Sequence, residues 1–314
     1  MTLLFQAEGW DPAPWLETLS RQAPEREIRL WPQIGNANEI DYALVWKPPA
    51  ELLAGLPALK VIFSLGAGVD HLLRLPNLPP EIPIVRVSDA DLTQRMSEYV
   101  MLHVLRHHRR RRDHAALQAG RQWRELSQPA AGEVRVGVMG LGVLGRDAAL
   151  KLAAMGFQVA GWSRSPKRID GIECYAGAGE LDDFLARTDI LVCLLPLTPD
   201  TKGLLNRDLI RGLARDGAGK GPALINAGRG GVQVERDILA ALDAGELYEA
   251  TLDVFETEPL PANSPLWSHE RVTITPHDAA PSTPAGICGA ILKQIESFER
   301  GGALDNLVDR RRGY

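Results

Sequence analysis

The sequence contains little cysteine and no long apolar run, and each absence excludes a class of protein. Its 314 residues include three cysteines, Cys174, Cys193 and Cys288, which form no CxxC pair. Because their number is odd and their spacing is wide, they indicate reduced thiols rather than a disulfide scaffold, and no Cys/His spacing suggests a metal site. Nowhere do about 18 apolar residues follow one another, so we expect no membrane-spanning helix.

The sequence also lacks an excess of positive charge. The formal net charge is −5, which argues against nucleic acid or an anionic membrane as the main partner. The first residues, MTLLF, have no basic segment before an apolar stretch, so we expect no secretory signal. These features favour a cytoplasmic protein that binds a small molecule.

One basic segment departs from this acidic background. Residues 107–112 read HHRRRR, a pattern that occurs in nucleic-acid patches. Because the chain is acidic and has no DNA-binding motif, a helix end that faces solvent or another subunit is the favoured interpretation.

What the sequence does contain is a regular alternation of short apolar runs and longer amphipathic stretches. The amphipathic stretches at 180–187 and 236–244 have helical length and period. Strand–helix alternation of this kind is typical of βαβ units with parallel sheets. Strands are predicted at 3–6, 28–31, 42–46, 61–64 and 84–87, and in a second set at 134–139, 158–162, 190–194, 223–226, 250–254 and 272–275.

The two sets of strands predict two domains. A helical stretch at 93–118 and a turn-rich segment at 127–132 separate the sets, and a final helix at 284–300 could return to the first domain. We therefore predict an α/β fold of two Rossmann-like or flavodoxin-like βαβ domains with parallel sheets and a cleft between them. The substrate-binding domain is assigned to 1–100 plus 284–314, and the dinucleotide-binding Rossmann domain to 101–283.

A glycine motif follows the strongest strand of the second set. Gly140, Gly142 and Gly145 form GxGxxG between an apolar strand and the start of a helix, which Val143 and Leu144 open. The first glycine permits a tight turn, the second lets the backbone approach a pyrophosphate, and the third lets helix and strand pack closely. The helix N-terminus faces the negative charge. In this context the motif predicts a dinucleotide site.

The end of the next strand bears on which dinucleotide is bound. An Asp or Glu about 20 residues after the glycines would accept hydrogen bonds from the ribose hydroxyls of NAD(H). Residues 161–168 read GWSRSPKR and contain no carboxylate. Arg164, flanked by Ser163 and Ser165, would suit a ribose 2′-phosphate, so NADP(H) is favoured as cofactor. The alternative is a solvated basic turn that tolerates NAD(H) as well.

Three residues of the C-terminal half each follow a predicted strand. They are Arg229, Glu258 and His277. The carboxyl ends of parallel strands share one edge, so these side chains would lie beside the crevice where ligands bind. Singly, Arg229 could be a salt-bridge residue and His277 a turn residue. A cation, an acid and an imidazole at three strand ends together favour an acid–base site.

The order of these motifs resembles that of the D-isomer-specific 2-hydroxyacid dehydrogenase family over essentially the whole chain. The matching segments are GxGxxG, NAGRG at 226–230, DVFxxEP at 253–259 and TPH at 275–277. Further segments resemble the glyoxylate/hydroxypyruvate reductase A branch of that family, which prefers NADPH; they lie at 41–46, 65–70, 264–267 and 308–314. One departure is Asp278, where the family usually has an apolar residue. This carboxylate could act on His277 or face solvent, and solvent is favoured.

The resemblance implies roles for the three strand-end residues. His277 would be the general acid that protonates the carbonyl oxygen, and the general base in the reverse reaction. Glu258 would hydrogen-bond the other imidazole nitrogen, fix the tautomer and favour the protonated ring. Arg229 would bind the substrate carboxylate and carbonyl and hold the keto carbon against the nicotinamide.

The resemblance also implies further contacts to substrate and cofactor. Backbone amides after a strand of the first domain would bind the carboxylate, because glycine permits close approach. Two tryptophans would line the substrate pocket or serve as packing residues. Besides Arg229, substrate contacts are assigned to Trp46, Leu65, Gly66, Ala67, Gly68 and Trp267. Further cofactor contacts are assigned to Leu195, Pro196, Thr201, Ala227 and Asp253, the last of which would meet the nicotinamide amide.

The activity that the resemblance implies is NADPH-dependent reduction of small 2-oxo acids, glyoxylate to glycolate and hydroxypyruvate to D-glycerate. A cleft that excludes water would close over the substrate. The family also implies a homodimer. Two alternatives stay open, a dehydrogenase for a bulkier 2-oxo acid and a dinucleotide-sensing protein without catalytic activity.

Overall fold

The computed structural model, which describes residues 1–87 and 89–314, contains two parallel β-sheets. The chain divides into two units with one sheet each: Met1–Leu92 together with Pro281–Tyr314, and Thr93–Ala280. All strand pairs within the two sheets are parallel, as the alternation of strands and helices in the sequence predicts. The predicted α/β class with two parallel sheets is confirmed.

The first unit is built on a five-stranded sheet with the order β2-β1-β3-β4-β5. Its strands are β1 (Thr2–Ala7), β2 (Glu27–Leu30), β3 (Ile40–Trp46), β4 (Val61–Ser64) and β5 (Ile84–Arg86), and its helices are α1 (Ala13–Gln22), α2 (Asp70–Leu73) and α9 (Pro284–Glu299). Apolar side chains cover both faces of the sheet, with Leu44 and Phe63 in one cluster and Val45 and Ile62 in the other. Burial on both faces explains why these strands read as continuous apolar runs.

The second unit is built on a seven-stranded sheet with the order β12-β11-β10-β9-β6-β7-β8. Its strands are β6 (Arg135–Met139), β7 (Gln158–Ser163), β8 (Glu173–Ala176), β9 (Ile190–Cys193), β10 (Ala223–Asn226), β11 (Glu249–Leu252) and β12 (Val272–Ile274). Its helices are α3 (Ala90–His108), α4 (Arg111–Ala119), α5 (Val143–Ala154), α6 (Leu181–Ala186), α7 (Arg207–Gly212) and α8 (Glu235–Asp243). The strand order reverses between β6 and β9, and ligands of open α/β sheets bind at the carboxyl edge of such a switch point.

The divisions between the units lie a few residues before the positions that the sequence analysis assigns. Helix α3 begins at Ala90, and the first division falls in its first turn, after Leu92, where the sequence analysis assigns residue 100. The second division falls after Ala280, where the sequence analysis assigns residue 283. The roles assigned to the two units stay predictions.

Two elements of the second unit differ from the sequence-based expectation. Strand β8 is missed by the sequence analysis, because it lies at the sheet edge and its four partly exposed residues lack an apolar pattern. The single helix expected at 93–118 is divided into α3 and α4 at Arg110, which has a φ of 52°. The Arg110 guanidinium donates to the Asp113 carboxylate at 2.8 Å and to the Ser127 carbonyl at 2.9 Å. Part of the basic run therefore makes contacts within its own unit.

Burial protects two of the three cysteines from reaction. Cys193 ends strand β9 and Cys288 lies in α9, and neither is exposed. Burial raises the pKa of both thiols to about 12. Since the thiolate is the reactive form, these two side chains are inert at neutral pH.

The longest described helix, α3, has 19 residues and carries several charged side chains. In the part of the chain that the structure describes, no helix combines the length and the apolar character needed to cross a membrane.

Candidate active site

Three neighbouring strands of the second sheet lead into the residues that the sequence predicts for catalysis. Strands β10, β11 and β12 lie side by side in parallel. Arg229 follows β10, Glu258 follows β11 and His277 follows β12. Because the strands run in the same direction, all three residues lie at the carboxyl edge of the sheet.

His277 and Glu258 form a direct contact. The imidazole Nδ1 lies 2.8 Å from Oε2 of Glu258, and the Phe255 amide donates to Oε1 of the same carboxylate at 3.1 Å. An ionised carboxylate only accepts hydrogen bonds, so this contact places a proton on Nδ1 and turns Nε2 toward other partners. The His277 side chain is 33% exposed, which leaves the ring accessible to a substrate.

The backbone around His277 is held in a strained turn. His277 has a φ of 57°, in the left-handed region that few non-glycine residues adopt, and its amide donates to the Asp253 carbonyl at 2.8 Å. The next residue, Asp278, donates its amide to the Asp253 carboxylate at 3.0 Å while its own side chain is exposed. The turn thus directs the imidazole and faces the Asp278 carboxylate toward solvent.

Asp253 is the buried anchor of that turn. Its side chain accepts hydrogen bonds from the Thr275 hydroxyl at 2.6 Å, from the Asp278 amide at 3.0 Å and from the Ala279 amide at 3.2 Å. Burial raises the pKa of Asp253 above its ordinary value, although these three donors act in the opposite direction. A contact of Asp253 with a nicotinamide amide stays a prediction.

The turn that presents Arg229 is fixed by a buried amide network. The Asn226 side chain accepts from the Gly228 amide at 3.0 Å and donates to the Gln233 side chain at 2.8 Å. Gln233 in turn donates to the Val254 carbonyl at 2.9 Å. The Arg229 guanidinium donates to the Gly228 carbonyl at 2.8 Å, which ties the side chain to its own turn.

Gly230 lets this turn approach the residues after β11. A Cβ added at Gly230 would lie 1.8 Å from the Phe255 carbonyl oxygen, a backbone atom that cannot move aside. Only glycine therefore permits the approach that holds the segments carrying Arg229 and Glu258 side by side.

The glycine motif has the geometry of a phosphate loop. Gly140 has a φ of 104°, and a Cβ added at Gly145 would lie 1.9 Å from the Gly140 carbonyl oxygen. At Gly142 no described atom, apart from its chain neighbours, lies within 4 Å of an added Cβ. Packing thus accounts for the outer two glycines, whereas Gly142 borders open space at the N-terminus of α5. The exposed Val143 and half-buried Leu144 begin that helix.

The end of β7 carries the residues predicted to read the adenosine ribose. Ser163 is the last residue of the strand, and its hydroxyl donates to the Ser165 carbonyl at 2.8 Å. Arg164 and Ser165 are exposed, as are Lys167 and Arg168 further along the turn. The structure therefore presents a positive surface directly after β7, the strand that pairs with β6.

The other predicted cofactor residues follow β9 and β10. Leu195 and Ala227 are buried, and Pro196 is half-buried. The Thr201 hydroxyl donates to the Pro196 carbonyl at 2.7 Å and closes the loop after β9. These residues occupy the carboxyl ends of the strands next to the switch point, the place that a dinucleotide site requires.

In the first unit, the loop after β4 carries the predicted substrate contacts. The Ser64 hydroxyl lies 3.0 Å from the Gly66 carbonyl oxygen and 3.2 Å from that of Gly68, which curls the loop. The Leu65 amide donates to the Val45 carbonyl at 3.0 Å, so its N–H belongs to the sheet. A contact of Leu65 with the substrate stays a prediction, as do contacts of the Gly66, Ala67 and Gly68 amides.

The two predicted tryptophans have different surroundings. Trp46 packs on the loop of the first unit, since a Cβ at Gly66 would lie 2.4 Å from its ring, and Trp10 stacks on it with centroids 5.8 Å apart. In the second unit, Trp267 is 54% exposed and donates to the Pro261 carbonyl at 3.0 Å. Substrate contact by either tryptophan stays a prediction.

A pocket of about 440 Å³ opens in the first unit beside Trp10, Trp31 and Lys47. None of the predicted substrate residues lines it. It is therefore separate from the loop after β4.

Sequence analysis does not identify two residues of the hydrogen-bond network that holds the His277 turn. Thr275 binds the Asp253 carboxylate, and the Tyr99 hydroxyl lies 2.8 Å from the Thr275 hydroxyl. Thr275 could have been found, because it stands two residues before His277 in the Thr-Pro-His segment. No sequence signal identifies Tyr99, which lies on a helix far away along the chain.

Comparison with known proteins relates these features to one family. The family model described as D-isomer specific 2-hydroxyacid dehydrogenase, NAD binding domain, matches residues 100–279. The glyoxylate/hydroxypyruvate reductases A of Serratia proteamaculans and Yersinia enterocolitica are 43% and 42% identical to this chain, each over the full length of both proteins.

Solved structures give the same result. The NADPH-dependent glyoxylate/hydroxypyruvate reductase from Sinorhizobium meliloti, solved with NADP and sulfate, is 49% identical, with a TM-score of 0.96 over 100% of this chain and 99% of that one. A D-isomer specific 2-hydroxyacid dehydrogenase from Xanthobacter autotrophicus, solved with NADPH and MES, is 41% identical, with a TM-score of 0.94 over the same shares.

Alanine at two positions of the glycine motif separates packing from ligand binding. We expect Gly145→Ala to lower the free energy of unfolding by about 3 kcal/mol or more, because its Cβ meets backbone. Gly142→Ala should change that free energy by less than about 1 kcal/mol and weaken NADPH binding at least roughly tenfold. Urea unfolding and fluorescence titration with NADPH measure the two effects. Unchanged NADPH affinity in Gly142→Ala would contradict a phosphate role for this loop.

Proposed function

Because the chain belongs to the D-isomer-specific 2-hydroxyacid dehydrogenase family, we propose that it reduces glyoxylate to glycolate and hydroxypyruvate to D-glycerate, with NADPH as the reductant. The observation that carries the proposal is the 2.8 Å contact between His277 and Glu258. It lies at the same sheet edge as the glycine motif. The names of the relatives support the two small 2-oxo acids as substrates.

The second unit fits a dinucleotide with a 2′-phosphate. Open space at Gly142 allows a pyrophosphate to approach the N-terminus of α5, whose backbone amides favour negative charge. The turn after β7 contains the guanidinium of Arg164. A guanidinium binds a phosphate more strongly than it binds hydroxyl groups. Related structures were solved with NADP or NADPH. NADP(H) is therefore the preferred cofactor, and its dihydronicotinamide, when bound, supplies the hydride.

His277 supplies the proton in this reaction. As the carbonyl carbon gains a hydride, negative charge develops on the oxygen, and the Nε2 proton of the imidazolium neutralises it. The ring then remains as the Nδ1–H tautomer, which the Glu258 carboxylate holds. In the oxidation of a 2-hydroxy acid, Nε2 accepts the hydroxyl proton.

Arg229 orients the substrate. Its planar guanidinium matches a carboxylate and polarises the neighbouring carbonyl, which reduces the orientational freedom of a small acid before the chemical step. The assignment of the Gly66, Ala67 and Gly68 amides to the substrate carboxylate stays a prediction from the family resemblance, since backbone N–H groups bind anions where glycine permits their approach. A homodimer stays a prediction from the family resemblance, and a cytoplasmic location stays a prediction from the composition.

Initial rates of NADPH and NADH oxidation test the proposal, with glyoxylate, hydroxypyruvate, pyruvate and a branched 2-oxo acid as substrates. We expect kcat/KM with NADPH and the first two acids to exceed the other values by roughly tenfold or more. Preference for the branched acid would indicate a dehydrogenase for bulkier substrates. A protein that binds NADPH but oxidises it with none of these acids would support the dinucleotide-sensing alternative.

Replacement of the proposed proton donor isolates its contribution. His277→Ala should lower kcat by roughly a hundredfold to ten-thousandfold, while the dissociation constant of NADPH stays nearly unchanged. The matched control is His269→Ala, since His269 also faces a carboxylate, that of Asp243 at 3.4 Å. Steady-state kinetics and NADPH titration compare the variants. A His277→Ala protein with the parent turnover would remove this imidazole from the reaction.

Cofactor preference tests the role of Arg164. Arg164→Ala should weaken NADPH binding roughly tenfold to a hundredfold and leave NADH binding within about twofold, because only NADPH offers the 2′-phosphate. Arg236→Ala is the control, because the Arg236 side chain is 88% exposed on helix α8. The dissociation constants of both dinucleotides are measured for the three proteins. Equal losses for NADPH and NADH in Arg164→Ala would disprove the 2′-phosphate contact.

A further inference from the structure

A chain of side-chain hydrogen bonds leads from helix α3 to the turn that carries His277. The Tyr99 hydroxyl lies 2.8 Å from the Thr275 hydroxyl, and the Thr275 hydroxyl lies 2.6 Å from Oδ1 of Asp253. Tyr99 and Asp253 are buried. The chain therefore connects α3 with residues that directly follow β11 and β12, in the interior of the second unit.

The direction of these hydrogen bonds follows from proton counting. The Asp253 carboxylate accepts from two backbone amides, so it acts as an acceptor toward Thr275 as well. Thr275 has one hydroxyl proton and gives it to Asp253, so Tyr99 must donate to the Thr275 oxygen. Burial raises the pKa of Tyr99, which keeps its phenol protonated and able to donate.

Asp253 links this hydrogen-bond chain to the turn that carries His277. Its backbone carbonyl accepts the His277 amide at 2.8 Å, and its carboxylate accepts the amides of Asp278 and Ala279. Three successive residues are therefore tied to one residue. Because His277 has a positive φ, its backbone needs such contacts to stay in place.

The surroundings of Tyr99 offer few substitutes for a lost hydrogen bond. The His103 ring lies 4.3 Å from the Tyr99 ring, and burial lowers the pKa of His103 to about 4, so this neighbour is uncharged at neutral pH. Arg106, one turn further along α3, donates to the Thr273 hydroxyl at 3.3 Å. Thr273, in β12, thus also binds α3, but its hydrogen bond leads away from Asp253.

We propose that Thr275, oriented by Tyr99, is a positioning residue for proton transfer at His277. The Thr275 hydroxyl holds the Asp253 carboxylate in place, and Asp253 in turn holds the backbone of residues 277–279. The position of that backbone sets the orientation of the His277 imidazole. The inference rests on the proposed function for its catalytic consequence. The hydrogen-bond chain itself is independent of the substrate.

Three variants at Thr275 and Thr273, and one in α3, test this inference. Thr275→Val removes the hydroxyl at nearly constant volume and should lower kcat by roughly tenfold to a hundredfold, with KM changed by less than about threefold. Thr275→Ser restores the hydroxyl and should return kcat to within about threefold of the parent. Thr273→Val, the matched control, should stay within about twofold. Tyr99→Phe should lower kcat in the same direction as Thr275→Val and by a smaller factor.

Hydrogen exchange at the amides of Asp278 and Ala279 provides a readout that needs no turnover. Both amides should exchange faster in Thr275→Val and Tyr99→Phe than in the parent, and at the parent rate in Thr273→Val. A parent that reduces none of the acids would end the proposed function, while the exchange rates would still decide whether the chain holds the turn.

Two results would overturn the inference while the proposed function stands. One is an active Thr275→Val protein with parent kcat and parent exchange rates. The other is an equal loss of kcat in Thr275→Ser and Thr273→Val, which would point to general packing of β12. If Thr275→Val does not fold, Thr275→Ser and Tyr99→Phe decide the matter, and parent kcat and exchange rates in Tyr99→Phe would overturn the orienting chain.

Discussion

The chemistry proposed for this protein depends on the parallel register of β10, β11 and β12. Each strand ends at the same edge and is followed there by one candidate catalytic residue, although Arg229 and His277 are 48 positions apart along the chain. A slip of one residue would turn each strand's side chains to the opposite face. Burial of apolar residues on these strands therefore stabilises the fold and aligns the candidate active site at the same time.

Glycine serves this edge for two different physical reasons. At Gly145 and Gly230 an added Cβ would meet backbone atoms of the protein itself, so the residue is required for the segments to pack. At Gly142 the added atom would meet only open space. The same residue type thus permits internal packing at two positions and leaves space for the proposed dinucleotide at the third.

Sequence reasoning succeeded where burial leaves a continuous signal. Strands β4 and β10 have the predicted bounds, because parallel strands buried on both faces are apolar throughout. Position after a strand end also predicted that Glu258 and His277 share an edge. The Tyr99–Thr275 hydrogen bond lay beyond such reasoning, since it joins residues 176 positions apart whose side-chain directions are set by tertiary packing. The hydrogen bond from the Leu65 amide to the Val45 carbonyl also lay beyond such reasoning, because the strand's hydrogen bonds extend one residue past Ser64, where β4 ends.

If Arg164 binds the 2′-phosphate as proposed, the exposed turn after β7 makes cofactor choice sensitive to the ionic strength of the solution. Arg164, Lys167 and Arg168 stand in solvent, where dissolved ions screen charges over a Debye length of about 8 Å at physiological ionic strength. The His277–Glu258 pair is partly buried and is screened less. Rising ionic strength would therefore reduce the discrimination between NADPH and NADH before it affects proton transfer at His277. Cofactor preference would thus be more sensitive to salt than the rate of the chemical step.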